Sequence, residues 1–260
     1  MHITKLWVVF LLGLVIPMAT QARQTLAVGV YDYPPFYQTH MGEADGVIPD
    51  VLHLLNQAQS EVEFVLYATT ARRRYKDFQD GKFDLLLFEN RQWGWQDYPV
   101  HASETLFSGG EVWVTMAASD RHQSYFKQLQ GKTLVGVLGY HYGFADLDAD
   151  PHRLHQHFGM QLVDSQDKVM ELLLQERADM GLVAYSFINR YLHQHPELKP
   201  RLLISDTFDQ QYQHGALLRE DATITIEWLN SLFSRLKDNG QLRALWHQHH
   251  LLQAPESKSP

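Results

Sequence analysis

Short apolar runs alternate with longer segments of helical periodicity in the first part of the chain. Each run is rich in Val, Leu and Phe, which is typical of a buried strand. The runs are residues 24–30, 63–67 and 83–88. The segments between them predict one helix from about residue 48 to 60 and another over 70–79, before Gly81. This alternation predicts a parallel sheet with helices on its faces.

The second part of the chain repeats the β–α–β–α–β order. Its predicted strands are residues 112–117, 130–137, 161–163 and 177–183, and its predicted helices are 152–159 and 165–177. Two further apolar runs predict strands over 202–204 and 213–219, followed by an amphipathic helix over 222–239 and a short helix containing Trp246. The pattern predicts an α/β protein in which one plan occurs twice.

The N-terminus has the features of a secretory signal. Lys5 precedes an apolar core over residues 6–19, and Thr20-Gln21-Ala22 places small residues before a cleavage site at Arg23. A membrane anchor is the alternative, but the core is shorter than the roughly 20 residues that a span needs. We therefore expect residues 1–22 to be a cleaved signal peptide and the mature protein to be soluble and periplasmic.

Composition narrows the classes of function. The chain is 45% hydrophobic and 20% charged, as in ordinary globular proteins, and it has a formal net charge of −8. An acidic surface argues against nucleic acid and anionic lipid as partners. The chain contains no cysteine, so disulfides, thiolate metal sites and a cysteine nucleophile are excluded.

The histidines raise the question of a metal site. Residues 152, 155 and 157, and residues 247, 249 and 250, are histidines with spacings that a metal could use. No acidic residue is positioned with either group, so we expect surface histidines, with no metal and no cofactor. The G-x-S-x-G, H-E-x-x-H, P-loop and Rossmann glycine motifs are absent as well, and no enzyme is predicted on these grounds.

A series of short motifs carries a resemblance to a known family. The motifs are Tyr33-Pro34-Pro35-Phe36, Gly46-Val47-Ile48-Pro49-Asp50-Val51, Gly81-Lys82-Phe83-Asp84, and residues 130–137, 177–183, 213–219 and 238–242. In this order they resemble the bacterial extracellular solute-binding proteins of family 3. The resemblance implies a type II periplasmic-binding-protein fold, in which two lobes, each a mainly parallel sheet flanked by helices, are joined by two hinge crossings.

The resemblance also implies a domain organisation and a function. Lobe one is expected over residues 23–115 and 209–253, lobe two over 116–208, and a tail over 254–260. The implied function is the capture of a small polar solute, amino acid-like or related, in the interlobe cleft by a monomer that delivers it to a membrane ABC permease. Alternatives are a partner of a membrane sensor, a degenerate receptor that contacts only a protein, and a dehydratase-like enzyme using Glu89 and His141.

The family's ligand anchors can be placed by counting along the motifs. Tyr33 falls at the position of the aromatic residue that covers the ligand. The arginine that holds an α-carboxylate in the family falls on Gln96, and the aspartate that holds an α-ammonium falls on Ala184. Both charged anchors are therefore replaced, which argues against a plain α-amino acid and leaves the ligand unidentified.

Further candidates come from the loops that follow the strands. The loop after residues 83–88 contains Glu89, Arg91 and Trp93, and these could grip a small ligand. Arg91 and Glu89 could instead pair with each other, and Trp93 and Trp95 could form an aromatic wall or plug the core.

The other candidates lie outside that loop. Arg73 belongs to a basic run over residues 72–74 that could equally be a solvated turn. Tyr140 and His141 lie in a loop whose N–H groups could meet an anionic or polar group, and Tyr185 flanks Ala184.

Overall fold

The computed structural model describes residues 23–251. The predicted signal peptide and the predicted tail over 254–260 lie outside these residues. Within the described part of the chain, no helix combines the length and the apolarity that a membrane crossing requires.

The first half of the fold alternates strands and helices as the apolar pattern predicts. Its elements are β1 (Gln24–Val30), β2 (Gln38–His40), β3 (Glu43–Asp45), α1 (Val47–Ala58), β4 (Val62–Ala68), α2 (Arg74–Gln79) and β5 (Leu85–Glu89). Strand β1 lies between β4 and β5 and is parallel to both. Helix α1 buries Val47, Val51 and Leu55, which recur on one face. Helix α2 begins at Arg74, so the predicted start at residue 70 is wrong: residues 71–73 form a turn.

The chain after β5 contains the remaining strands and α-helices. They are β6 (Val100–Ala102), β7 (Phe107–Met116), β8 (Leu134–Val137), α3 (Pro151–Phe158), β9 (Gln161–Val163), α4 (Gln166–Leu174), β10 (Met180–Ala184), α5 (Tyr185–Gln194), β11 (Leu202–Arg219), α6 (Ile226–Asp238) and α7 (Gln241–Gln248). Strand β8 lies between β9 and β10 and is parallel to both. The prediction of two parallel strand sets flanked by helices is confirmed.

Two long antiparallel strands connect the parallel sets. The strand order is β4-β1-β5-β11-β7-β10-β8-β9. Strand β11 pairs with β5 near its end and with β7 over most of its length, whereas β7 also pairs with β10. We call β4, β1 and β5 the first strand set, and β10, β8 and β9 the second strand set. Strands β7 and β11 are the two crossings between them.

The crossings differ from the predicted strands. The prediction of separate strands at 202–204 and 213–219 is wrong, because β11 is one continuous strand. Its polar middle stays extended because its backbone pairs with β7, with irregular register near Phe208. Residues 111, 112 and 114 of β7 pair with both β10 and β11. The lobe boundaries at 115/116 and 208/209 stay a prediction.

The Tyr33–Phe36 loop is fixed between β1 and α1. Its backbone closes on itself through Tyr33 N–H to Tyr37 O (2.9 Å) and Phe36 N–H to Tyr33 O (2.9 Å). Gly46 follows with φ of 120°, and a Cβ there would lie 2.6 Å from the carbonyl oxygen of Phe36. Phe36 stacks on Phe88 with ring centroids 4.6 Å apart. The loop therefore presents the Tyr33 ring in a defined direction between the two strand sets.

Candidate ligand site

A small cavity lies where the first strand set, the second strand set and the crossings meet. It is lined by Tyr31, Tyr33, Arg74, Trp93, Glu111, Gly139, Tyr140 and His141. The space open to a water-sized sphere is about 10 Å³, which is near the minimum that one water needs. Aromatic rings and a few ionisable groups thus fill the junction almost completely.

An ion pair from the first strand set forms one wall of the cavity. Arg74 begins α2 and Glu89 ends β5, and both are buried, with the Arg74 Nη2 to Glu89 Oε1 distance at 3.5 Å. Glu89 also accepts a hydrogen bond from the Tyr31 hydroxyl at 2.9 Å. Burial raises the pKa of Glu89, and the charge of Arg74 opposes that rise. Since a guanidinium does not lose its proton in proteins, the charge of Arg74 favours the carboxylate form of Glu89 against the effect of burial.

The Arg74 guanidinium is almost fully engaged. Its Nη1 donates to the carbonyl oxygens of Ala71 and Gly139, the latter at 3.3 Å. Its Nη2 donates to the Tyr75 hydroxyl at 2.7 Å. The same group lies over the rings of Tyr31 and Tyr75, at 5.0 and 4.4 Å from their centroids. Gly139 belongs to the loop after β8, so Arg74 also joins the two strand sets.

Two side chains of that same loop complete the second wall. The Tyr140 hydroxyl donates to the carbonyl oxygen of Asp32 at 3.0 Å. The His141 Nε2 lies 2.8 Å from the Tyr75 hydroxyl, and its Nδ1 lies 2.7 Å from the carbonyl oxygen of Leu147. Burial, followed by the nearby charge of Arg74, lowers the pKa of His141 to about 4. The imidazole is therefore neutral near pH 7.

The crossings supply the floor of the cavity. Glu111 lies on β7 and is 2% exposed, and its Oε2 accepts a hydrogen bond from the Gln210 side chain at 2.7 Å. Tyr212 lies on β11, where its hydroxyl is 2.9 Å from that of Tyr33. A Cβ at Gly109 would lie 2.2 Å from the Tyr212 ring, so only glycine lets this ring lie against β7. Burial, then the charge of Asp209, raises the pKa of Glu111 to about 8.

His214 on β11 belongs to the aromatic layer beneath the cavity. It is fully buried, and its Nε2 lies 3.2 Å from the Tyr33 hydroxyl. Its Nδ1 is buried without a partner among the described residues. Burial lowers the pKa of His214 to about 3. The neutral ring packs edge-on against Tyr33 and Phe36, with centroids 5.8 and 4.9 Å away.

The structure divides the candidate residues into two groups. Tyr33, Trp93, Tyr140 and His141 line the cavity, and Glu89 lies behind it through its contact with Arg74. The other candidates do not line it. Arg73 is exposed and pairs with Asp77 at 3.2 Å. Tyr185 starts α5 and packs edge-on against Phe208, with centroids 5.3 Å apart.

Arg91 and Gln96 lie in a different place. Both are exposed and line a wide groove of about 570 Å³ beside the Glu89 loop, bordered also by Ser103, Gly109 and Gln213. The Gln96 side chain donates to the carbonyl oxygen of Gln92 at 3.2 Å. The proposed ion pair between Glu89 and Arg91 is absent, because Glu89 pairs with Arg74 instead.

The two tryptophans of the loop have different environments. Trp93 lines the cavity, packs edge-on against Tyr212 (4.6 Å) and donates from Nε1 to the Gln210 side chain at 3.3 Å. Trp95 is fully buried against Tyr75 and Phe78, with centroids 4.7 and 5.4 Å away. Trp93 therefore belongs to an aromatic wall of the cavity, and Trp95 fills the core.

Several cavity residues were missed in the sequence. Arg74 could have been found from the helical repeat, because Arg74, Asp77 and Phe78 form the buried face of α2. Glu111 also had a signal: it is an isolated acid in an otherwise apolar strand. Tyr212 and His214 had none, since they alternate with exposed polar residues as any strand residues do. Ala184, where the resemblance places an aspartate, lies in register with Glu111.

The remaining chemical candidates have no support in the geometry. Glu89 and His141 do not contact each other, since Arg74 and Tyr75 lie between them in the hydrogen-bond network. Residues 152, 155 and 157 are exposed histidines. Across residues 23–251, no three His, Asp or Glu side chains are grouped so that they could hold a metal ion.

Comparison with solved structures identifies the fold class. A mutant of ArgBP from T. maritima matches with a TM-score of 0.71 and 22% identity, over 87% of this chain and 95% of that one. A substrate-binding protein of an ABC uptake transporter from Streptococcus pneumoniae, with bound histidine, gives 0.71 and 18%, over 86% and 91%. The fold is that of type II periplasmic binding proteins.

A third solved structure extends the comparison. The GluR0 ligand-binding core from Nostoc punctiforme, in complex with L-glutamate, matches with a TM-score of 0.66 and 17% identity, over 86% of this chain and 98% of that one. No family model matches the chain, and no curated protein matches it by sequence. The predicted fold class is thus confirmed, and the names of these neighbours agree with the resemblance seen in the sequence.

Proposed function

We propose that this chain is a periplasmic solute-binding protein that encloses a small polar solute between two lobes and presents it to a membrane ABC permease. The observation that carries the proposal is the cavity itself. Its walls come from loops and a helix that adjoin the two strand sets, and Glu111 of the crossing strand β7 contributes to its floor. A solute held there would be enclosed when the two sets approach and released when they separate.

Several contacts span the two strand sets around the cavity. Besides Arg74 to Gly139 and Tyr140 to Asp32, the Gln166 side chain donates to the carbonyl oxygen of Pro34 at 3.0 Å and accepts from the Ala184 N–H at 2.7 Å. At the rim, Arg190 pairs with Asp45 at 3.4 Å. Each contact joins residues far apart in sequence through side chains that separation of the sets would expose to water. These contacts would stabilise a closed state in which the two strand sets lie together.

The structural neighbours support a binding role. The solved structures described above include a substrate-binding protein with histidine and a ligand-binding core with glutamate. The charged anchors expected for an α-amino acid fall on Gln96 and Ala184, and Gln96 lies outside the cavity. We therefore propose a polar solute recognised by other contacts. The protein would act as an exported monomer, without catalysis and without a cofactor.

The test is a binding screen with two readouts. Purified protein lacking residues 1–22 is mixed with a broad panel of polar metabolites, and the melting temperature and the radius of gyration are measured. A solute that binds the folded state at about 100 times its Kd stabilises it by about 2.7 kcal/mol, which raises the melting temperature by several degrees. If no solute raises the melting temperature or compacts the protein, the receptor proposal is overturned.

A matched pair of variants ties binding to the cavity. Tyr140→Phe removes the hydroxyl that reaches Asp32 across the strand sets, and the loss of one hydrogen bond should weaken solute binding roughly fivefold. Tyr67→Phe makes the same change on β4, outside the cavity, and should leave affinity unchanged. Equal effects of the two variants would place the binding site elsewhere.

A second candidate function is favoured by the small volume of the cavity. A receptor-like protein that contacts only a protein partner would need no room for a solute, and the free space is about 10 Å³. Amide hydrogen exchange without solute distinguishes the two. Slow exchange at residues 139–141, unaffected by every solute of the panel, supports the partner-only role. Exchange that slows when a solute is added supports the receptor.

A further inference from the structure

One buried carboxyl group in the cavity has no cationic partner among the described residues. Glu111 is 2% exposed and lines the cavity, yet no Lys, Arg or His of residues 23–251 forms an ion pair with it. Within the described part of the chain, its side-chain hydrogen-bond partner is the neutral amide of Gln210 at 2.7 Å. A buried carboxylate without a cation is costly to ionise, so proteins seldom keep one without a role.

The elements packed around Glu111 add negative groups and no positive ones. From β11, Asp209 lies close enough to raise the pKa of Glu111, and both Asp209 oxygens are taken by the N–H groups of Gly143 and Phe144, at 2.6 and 3.0 Å. From β10, the residue in register is Ala184, which carries no charge. The other titratable groups around Glu111 are the hydroxyls of Tyr33, Tyr140, Tyr142 and Tyr212. His141 lines the same cavity, and its imidazole is neutral near pH 7 because its pKa is lowered to about 4.

The guanidinium in the cavity wall does not supply the missing charge. Arg74 is held by Glu89, Tyr75, Ala71 and Gly139, as described above. Its positive charge is matched by Glu89 within the same wall. When Glu111 ionises, the cavity therefore has an unmatched negative charge.

Aromatic rings surround the space beside Glu111. Tyr33 meets Tyr140 edge-on at 5.4 Å between centroids and Trp93 at 6.2 Å. Tyr31 stacks near Tyr33 at 6.0 Å. The electron-rich faces of Tyr and Trp attract cations, and the attraction is stronger where water is excluded. The carboxyl group of Glu111 and several rings line this desolvated space together with Arg74, whose charge is matched by Glu89, so the lining favours a positively charged group over an anion.

We propose that the solute is a small organic cation whose ammonium group is held by Glu111 among the rings of Tyr33, Trp93 and Tyr140. This inference rests on the proposed function and names the class of its solute. The closed space is about the size of one water, which suits a primary ammonium head group. Methylated ammonium groups require the strand sets to stand further apart.

Cation binding is then coupled to a proton. With a pKa of about 8, Glu111 is mainly protonated at pH 7 in the free protein. The bound cation stabilises the carboxylate, so binding releases close to one proton per site at pH 7. Affinity for a cation that does not itself titrate should rise about tenfold per pH unit below pH 8 and level off above it.

The experiment compares matched cations and uncharged analogues by titration calorimetry. The probes are putrescine against butanediol, choline against its uncharged tert-butyl analogue, and succinate as an anion, each in two buffers of different ionisation enthalpy. We expect at least one cation to bind more than tenfold tighter than its uncharged analogue, with heat that depends on the buffer. Glu111→Gln should lower that affinity at least tenfold and abolish proton release, whereas Glu63→Gln, on the exposed side of β4, should do neither.

The outcomes separate this inference from the proposed function. Tight binding of uncharged or anionic solutes with no binding of cations overturns the cation proposal and leaves the receptor intact. Cation binding that is unchanged in Glu111→Gln overturns the assignment of Glu111. If no solute of any class binds, the proposed function fails as well. The thermal midpoint of Glu111→Gln, measured in parallel, shows that the variant is folded.

Discussion

Glu89 and Glu111 are two buried carboxylates at the same junction, with opposite surroundings. Glu89 is 1% exposed and contacts a guanidinium and a tyrosine hydroxyl, whereas Glu111 is 2% exposed and contacts one neutral amide beside another carboxylate. The first charge is matched within the fold. The second carboxyl group avoids an unmatched charge by staying protonated, because its pKa is raised, or by pairing with a cation that enters the cavity. The two carboxyl groups are therefore equally buried, and what distinguishes them is the presence or absence of a counter-charge.

The positions of the two residues fit these different roles. Glu89 ends strand β5 of the first strand set and pairs with Arg74 of α2, which lies between β4 and β5 in the chain. The ion pair therefore forms within one half of the fold. Glu111 lies on a crossing strand, in register with both β10 and β11. Its surroundings depend on how the two strand sets stand relative to each other, which is where a binding event would act.

The largest effect is expected from breaking the matched pair. Arg74→Ala leaves Glu89 buried without its counter-charge and should lower the free energy of unfolding by about 3–5 kcal/mol, measured by urea denaturation. Arg73→Ala is the control on the preceding residue. Because the Arg73 side chain is exposed, its loss should change stability by no more than about 1 kcal/mol. Equal losses in both variants would contradict the structural role of Glu89 and Arg74.

The unmatched carboxylate predicts stability that decreases with rising pH. The pKa of Glu111 is raised from 4.5 to about 8 by folding, so its contribution is complete below pH 4.5 and is lost as pH rises through 8. Glu111→Gln does not titrate. Relative to the wild type it should therefore gain stability from pH 5 to pH 8.5, by a few kcal/mol in urea denaturation. A difference between the two proteins that is constant with pH would show that Glu111 is not buried as described.

The burial of His214 predicts that stability decreases at low pH, which is the opposite dependence. Folding lowers its pKa from 6.5 to about 3, so its contribution is present above pH 6.5 and is lost as pH falls towards 3. His214→Gln keeps a hydrogen-bonding group near Tyr33 but does not titrate. It should reduce the acid loss of stability at pH 4 by roughly 3 kcal/mol. The exposed His152→Gln should leave the acid limb unchanged, and a similar effect of both variants would argue against burial as the cause.

The smallest effects on stability and affinity are expected for residues of the wide groove beside the Glu89 loop. Arg91→Ala and Gln96→Ala change exposed side chains outside the cavity and should alter stability by less than about 0.5 kcal/mol. Solute affinity, measured by calorimetry, should also stay within about twofold of the wild type. A loss of more than tenfold in either variant would move the binding site from the cavity to the groove, and Glu111 would then lose its proposed role.

The candidate site shows where prediction from sequence succeeds and where it does not. Tyr33 could be placed because a rigid Pro-Pro loop determines its position locally. Arg73 is the candidate from the run of three arginines, yet Arg74 is the buried one, because the turn over 71–73 shifts the start of α2. Counting along motifs to Gln96 identified a position in the loop but could not tell which way its side chain points.

The sequence by itself determined the α/β alternation, the two parallel strand sets and the aromatic loop, because hydrophobic periodicity and proline geometry act over a few residues. Only the tertiary structure decided which charges meet. Arg74 reaches Gly139, and Glu111 meets Gln210, across separations of 65 and 99 residues. The balance of charge in the cavity depends on those distant contacts, and a buried charge is matched or unmatched only once the two strand sets have come together.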